Sequence, residues 1–292
     1  MLLDDFTNYL QNERKYSLHT VRAYVDDLIQ FSDITCLDKK DISLISINDV
    51  RLWIIELKNN KISTKSINRK ISALKTFFHF CNREKLIDSN PILKIKSLKE
   101  EKRLPVVIPE DSLLNLFDSD IFPDTFKGCR DRLILDLFYQ TGIRLAELIN
   151  IKMSHCDLLK KEIKILGKRN KERIIPLTDS IIVFFDKYFF YRSKILHSSS
   201  SSFLFVTENG KKAYSKMIYR LVNHYLSLVS SSKKTSPHVL RHAFATHLLN
   251  RGASLNTIKE LLGHASLLST QVYTHVSSEK IKKVYKNSHP RG

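Results

Sequence analysis

The sequence lacks the features that mark exported and membrane-spanning proteins. None of its apolar runs approaches the roughly eighteen residues that a membrane-spanning helix needs, and the first residues lack the basic start of a signal peptide. The chain has only four cysteines and no CxxC pair. In a chain without export signals we expect these to be free thiols: Cys36, Cys81, Cys129 and Cys156. A cytoplasmic protein that does not act within a membrane is therefore expected.

Acidic residues are also scarce relative to basic ones. The 292 residues carry a formal net charge of +18, and the isoelectric point is near 9.7. Such an excess indicates a polyanionic partner, with nucleic acid first and an anionic membrane surface second. A hydrophobic fraction of 42% argues against disorder. The length allows two domains, each with its own core.

The pattern predicts a mainly α protein with a small β-sheet, in two domains. Residues 1–95 show the helical spacing of apolar residues throughout and form the first domain. Residues 96–105 are charged, end in a proline and form a linker, and residues 106–292 form the second domain. The fourth helix, opened by Ser63, carries basic residues away from its apolar side. We interpret them as a DNA-facing surface, although such a face is often only solvated: Lys65, Arg69, Lys70 and Lys75.

The second domain alternates helices with short strands. One helix is expected after Pro109, and a second over 129–140 that Thr141 and Gly142 interrupt. Residues 162–166 and 172–176 have the β-branched content of a hairpin, with its turn at 167–171, and residues 203–206 form a further strand. A helix over 214–229 follows, and then one that Ser236 caps and Pro237 opens, ending near Gly252.

Five histidines fall within about forty residues near the C-terminus, a density that a purely structural role does not explain. His238, Arg241 and His242 lie within one helical turn, and His264 follows a short helix that Gly263 ends. Metal binding is the rival use of such a cluster. It is disfavoured because the cluster holds no cysteine and the chain has no HExxH motif. Arginine with histidine suits a phosphoryl group instead, and Tyr273 is then a candidate nucleophile.

These motifs resemble those of the tyrosine recombinases, or phage integrases, and most of all the Xer-type enzymes. The resemblance is carried by the segments around Arg144, Lys168, His238-x-x-Arg241, Leu262-Gly263-His264 and Tyr273, in family order. One departure is Arg169, where relatives often carry glycine. The resemblance implies a SAM-like, helical core-binding domain before a mixed α/β catalytic domain, the two clamping double-stranded DNA. It also implies a tetramer of like or unlike protomers joined through a C-terminal helix after residue 277.

The resemblance further implies the chemistry. Tyr273 would attack the scissile phosphate and form a 3′-phosphotyrosyl bond, without a metal or cofactor, and exchange would pass through a Holliday junction. Arg144, Arg241 and His264 would hold the phosphate, whereas His238 would assist the tyrosine and Lys168 would protonate the leaving oxygen. Resolution of chromosome dimers and movement of a mobile element both stay open. So do two other functions, a type IB topoisomerase and a DNA-binding regulator without activity.

Overall fold

The computed structural model describes residues 2–35, 41–100, 108–167, 172–195, 201–230 and 235–263. The chain divides into two compact units, Met1–Arg103 and Leu104–Gly292. Each is built mainly of helices, and the second also contains a small antiparallel sheet. None of the helices within the described ranges is long and apolar enough to cross a lipid bilayer.

The described residues of the first unit form four α-helices: α1 (Leu2–Asn8), α2 (Leu18–Thr35), α3 (Ile47–Asn59) and α4 (Thr64–Arg83). A π-helical turn, Tyr9–Glu13, continues α1. Two serines cap helices: Ser17 accepts from the Thr20 backbone N–H, and Ser63, expected at the start of α4, accepts from that of Ser66. The core is aromatic, and Trp53 packs edge-to-face on Phe31.

The basic residues of α4 do not share one environment. Arg69 forms an ion pair with the buried Asp27, and the Lys70 Nζ lies 2.8 Å from the other oxygen of that carboxylate. Lys65 is exposed and Lys75 is half-buried. Two of the four predicted DNA contacts therefore also hold a buried carboxylate in place, because an unpaired charge inside the helical core would be costly.

Part of the segment predicted as a linker is attached to the first unit. The backbone N–H of Leu98 donates to the Asn68 side chain at 2.8 Å, and the Asn68 amide donates back to the Leu98 carbonyl at 2.9 Å. Ile92 and Ile95 are buried in the core of this unit. The remainder of the linker, residues 101–105, lies outside the described residues.

The second unit contains seven α-helices and three strands within its described ranges: α5 (Glu110–Asp118), α6 (Phe126–Thr141), α7 (Leu145–Leu148), β1 (Cys156–Asp157), β2 (Glu162–Leu166), β3 (Glu172–Pro176), α8 (Asp179–Ile195), α9 (Ser215–Val229), α10 (Pro237–Asn250) and α11 (Leu255–Leu262). The helix α6 lies at the centre, with almost every residue after its first turn buried. It packs against α8 and α10.

The strands pair antiparallel in the order β1, β2, β3. The predicted hairpin is confirmed, with Ile163 opposite Ile175 and Ile165 opposite Arg173. Two local predictions were wrong. Residues 203–206 make only isolated bridges at their two ends, from Phe203 to Lys152 and from Val206 to Lys212, so no strand forms. The side chain of Ser236 makes no capping hydrogen bond, and proline alone opens α10.

Three of the cysteines lie among the described residues, and these three are free thiols, as expected: Cys81, Cys129 and Cys156. Burial raises the pKa of Cys81 and of Cys156 to about 12, which keeps both as protonated thiols at neutral pH. Cys36, the hairpin turn over 168–171 and everything after Gly263 lie outside the described residues.

Candidate active site

The end of α6 sets the position of Arg144. Gly142 ends the helix in the left-handed conformation, with φ of 57°, and its N–H donates to the Phe138 carbonyl. Arg144 then caps α7 with an extended backbone. Its side chain is about one-third exposed, and its Nη1 lies 2.8 Å from the Glu147 Oε1. The partly exposed guanidinium of Arg144 therefore follows directly after a tight turn in the chain.

Arg241 reaches the same region from α10 and is almost fully buried. Its Nη1 donates to the Gly142 carbonyl, and its Nη2 donates to the Leu262 carbonyl at 2.8 Å. Burial, followed by the positive charge of Arg144, lowers the pKa of Arg241 to about 10. The guanidinium is still protonated at neutral pH, and it is held in one orientation by backbone carbonyls.

Glu147 is the counter-ion of this positive cluster. It accepts the backbone N–H of Arg144 at 3.0 Å, and both of its oxygens accept from Arg173, at 3.2 and 2.7 Å. Burial works against ionisation of this carboxyl. The hydrogen bonds from Arg173 and Arg144 outweigh burial, so the pKa of Glu147 lies below its ordinary value. Glu147 is therefore ionised and orients both arginines.

The three arginines also meet the C-terminal end of α11. Arg173 Nε donates to the Leu261 carbonyl at 3.0 Å, and Arg144 Nη2 lies 3.4 Å from the Gly263 carbonyl. With the bond from Arg241 to Leu262, three successive carbonyls each have a guanidinium donor. The end of a helix leaves such carbonyls without intrahelical partners and carries partial negative charge, so cations are favoured there.

The structure brings together Arg144 and Arg241 of the six predicted catalytic residues. His238 lies one turn before Arg241 on α10 and is exposed. His247, a further histidine of α10, is buried between the Tyr139 hydroxyl at 3.0 Å and the Ile108 carbonyl at 3.1 Å. Burial lowers its pKa and keeps the ring neutral. The remaining three predicted catalytic residues lie outside the described residues: Lys168, His264 and Tyr273.

Two guanidinium groups fixed beside a buried carboxylate can bind the non-bridging oxygens of a phosphodiester. Each arginine can donate charge-assisted hydrogen bonds to phosphate. Because carbonyls and Glu147 fix the two guanidinium groups beforehand, binding a phosphodiester would need little reorganisation, and negative charge developing on its oxygens would be stabilised. Within the described ranges, no three His, Cys, Asp or Glu side chains cluster as a metal site.

Comparison with known proteins agrees with this geometry. Residues 108–280 match the phage integrase family, and residues 3–85 match its N-terminal SAM-like domain. The chain belongs to the phage integrase family. It is 37% identical over 286 residues to the tyrosine recombinase XerC of Staphylococcus haemolyticus, covering 98% of this chain and 96% of the relative. It is 38% identical over 290 residues to XerC of Staphylococcus aureus strain USA300, covering 99% and 96%.

The fold agrees with that of a solved recombinase. The chain superimposes on the XerH site-specific recombinase bound to a palindromic difH substrate with a TM-score of 0.73 at 21% identity, covering 96% of this chain and 83% of the other. The predicted Xer-type recombinase identity, the helical fold with a SAM-like domain and the DNA-cleaving and rejoining activity are thus confirmed. The relatives give no support to the topoisomerase or to the inactive regulator.

Sequence reasoning overlooked Arg173. A signal was available, because the period of two places Arg173 on the same face of β3 as Ile175, which is buried. A charged residue on a buried sheet face needs a counter-ion. Glu147 is that counter-ion.

Proposed function

We propose that this recombinase cleaves double-stranded DNA with Tyr273 as nucleophile and with Arg144 and Arg241 as the phosphate-binding pair. The observation that supports this most is the convergence of the two arginines on the end of α11, next to the motif that leads to His264. The tyrosine oxygen bonds to phosphorus while the bond to the 5′-oxygen breaks, and Lys168 supplies the proton to that oxygen. The released 5′-hydroxyl of another strand later reverses the step, so no external energy source is needed.

The remaining candidates take roles around this pair. His264 donates a further hydrogen bond to the phosphate, and His238 assists removal of the proton from Tyr273. His238 is exposed on the first turn of α10, where an incoming substrate can reach it. Splitting the displacement into two reversible phosphoryl transfers is the advantage of a covalent intermediate.

A second surface of the catalytic unit fits the DNA backbone. The helix α9 buries one side and exposes Lys216, Arg220 and Asn223, which lie on one face because they are four and three residues apart. In a chain with a net charge of +18, this face and the exposed Lys65 of α4 are proposed DNA contacts.

Replacing Tyr273 by Phe tests the nucleophile. The variant loses one oxygen and little contact area, so we expect DNA affinity within about twofold of the parent and no covalent adduct. Adduct is measured by denaturing gel on a nicked duplex that carries the site recovered by footprinting on genomic DNA. An adduct formed by the variant at the parent's rate would exclude Tyr273.

The XerC relatives support an Xer-like role for this chain, and we propose that it acts in the cytoplasm. The same genomic footprint distinguishes the two biological roles. A single chromosomal site in each genome supports resolution of chromosome dimers, whereas sites at the ends of a mobile element support integration or excision.

Assembly is proposed to use the C-terminal segment. Residues 277–292 combine apolar Ile281, Val284 and Tyr285 with several lysines, a pattern typical of a short helix that needs a docking surface. We propose that it docks on a neighbouring protomer, either a like or an unlike recombinase, within a tetramer. Deleting 277–292 should preserve binding to a single site but abolish recombination between two sites. Recombination at the parent's rate would show that the segment only braces its own domain.

A further inference from the structure

Arg173 occupies a central position between three parts of the site, and the inference drawn from it rests on the proposed function. The backbone of Arg173 lies on β3. Its side chain donates through Nε to the Leu261 carbonyl of α11 and through both Nη atoms to Glu147. All three guanidinium nitrogens are therefore committed to protein acceptors. Its side chain is only 14% exposed. The planar shape of the guanidinium, as well as its charge, is therefore needed to form these contacts.

The partner Glu147 links Arg173 to Arg144. One carboxylate accepts two bonds from Arg173, one from the Arg144 backbone and one from the Arg144 side chain. Removing Arg173 would leave Glu147 with Arg144 alone, and the carboxylate could then rotate toward that single partner. The guanidinium of Arg144 would lose its fixed orientation in consequence.

The other end of Arg173 supports the last turn of α11. Gly263 is left-handed, with φ of 63°, and a methyl group on it would come within 3.1 Å of the Arg173 Nη1. Arg173 thus packs directly against the residue that ends the helix. His264 is the next residue in the sequence, so the direction in which the chain leaves α11 sets where that candidate can reach.

We propose that Arg173 is a positioning residue for DNA cleavage: its guanidinium locks Glu147, and through it Arg144, while fixing the end of α11. It touches no reacting atom. The requirement is for a planar fork, because a lysine ammonium is a point charge that cannot donate to the Leu261 carbonyl and to both oxygens of Glu147 at once.

The test uses full-length Arg173→Lys, which keeps the buried charge, together with Arg173→Gln. Arg251→Lys is the matched control, since Arg251 also pairs with a carboxylate of this unit, Glu110, but makes no contact with the cluster among its described bonds. Three quantities are measured for each: hydrogen exchange of the backbone amides over 255–263, affinity for the footprinted duplex, and the single-turnover rate of adduct formation at saturating protein.

For Arg173→Lys we expect faster exchange at the end of α11, affinity within about twofold of the parent, and a cleavage rate lower by on the order of 10- to 100-fold, since small misplacements of catalytic groups have effects of that size. Arg251→Lys should change none of the three. Cleavage at the parent's rate by Arg173→Lys, or exchange over 255–263 unchanged in both Arg173 variants, would overturn the proposal.

Failure of the proposed function gives a different result. In that case the parent itself forms no adduct on the footprinted duplex. The exchange measurement needs no DNA, so it still shows whether Arg173 holds the end of α11. If Arg173→Gln cleaves slowly but Arg173→Lys cleaves at the parent's rate, the positive charge of Arg173 alone is required. That result would also contradict the proposal.

Discussion

Replacing Glu147 by Gln removes the negative charge on which the arginine cluster depends while keeping the size of the side chain. The parent carboxylate accepts four hydrogen bonds, two of them from Arg173 at 3.2 and 2.7 Å. A glutamine offers one acceptor oxygen in place of two, and its amide group would face guanidinium donors. Arg144, Arg173 and Arg241 would then repel one another without a counter-ion.

The magnitude follows from the burial of the group. Breaking a buried ion pair by removing one partner costs roughly 3–5 kcal/mol. Arg173 is mostly buried, but Arg144 is 35% exposed and can regain water, which places the cost at the lower end. A loss of about 3 kcal/mol in a unit of this size corresponds to a fall in Tm of about 6–12 °C.

The assay is thermal unfolding of parent and Glu147→Gln as a function of pH. Since the pKa of folded Glu147 lies below its ordinary value of 4.5, its ionisation stabilises the fold above that pH. This contribution disappears as the pH falls through the folded pKa. The difference in Tm should therefore be full at pH 7 and shrink in acid below 4.5. A Tm at pH 7 within about 2 °C of the parent, which is less than 1 kcal/mol, would refute the reasoning.

Two further predictions concern charge and the buried histidine. The logarithm of the affinity for duplex DNA should fall linearly with the logarithm of the salt concentration, by roughly 0.9 for each phosphate contact. The double variant Lys216→Ala, Arg220→Ala should make this slope shallower by about two. An unchanged slope in a binding titration would show that α9 does not contact the DNA. Tyr139→Phe removes the hydroxyl that lies 3.0 Å from the buried His247. The free energy of unfolding, measured in urea, should fall by about 1–2 kcal/mol, while the folded variant cleaves DNA at the parent's rate. Slower cleavage by fully folded protein would show that Tyr139 and His247 belong to the active site.

The fold was accessible from the sequence where local signals were strong. Ser63 caps α4 as its position predicts, and the β-branched runs pair as the predicted hairpin. The bridges at residues 203–206 were not predictable, because a short apolar run does not show whether a pairing partner extends alongside it. The short β1 has two residues, too few for any period.

The site was accessible only in part. Arg144 and Arg241 were identified through their resemblance to recombinase motifs, but their mutual approach depends on a contact between residues 99 positions apart in the chain, from Arg241 to Gly142. The role of Arg173 could be recognised only once it was known which face of β3 is buried and which residues pack against that face. Such pairing across the fold is set by tertiary packing, for which spacing along the chain carries no direct signal.

Substitution of Gly142 tests whether the turn between α6 and Arg144 is stabilised by side-chain packing as well as by backbone conformation. Its φ of 57° is unfavourable for any residue with a Cβ, and a methyl group there would lie 2.5 Å from Phe244 Cδ1 and 2.6 Å from Leu262 Cδ2. Both neighbours belong to the buried cluster of α10 and α11. Gly142→Ala therefore adds overpacking to backbone strain.

Gly252 supplies the control, because it also has a positive φ, 84°, but has nothing within 4 Å of the added methyl group. Gly252→Ala should lose only the conformational term, about 1 kcal/mol. Gly142→Ala should lose that and a further 1–3 kcal/mol or so for overpacking. It should also slow adduct formation, since moving Phe244 and Leu262 displaces the carbonyl that holds Arg241. Equal losses of stability in the two variants would mean that Phe244 and Leu262 yield without cost, and that the turn before Arg144 is fixed by backbone conformation alone.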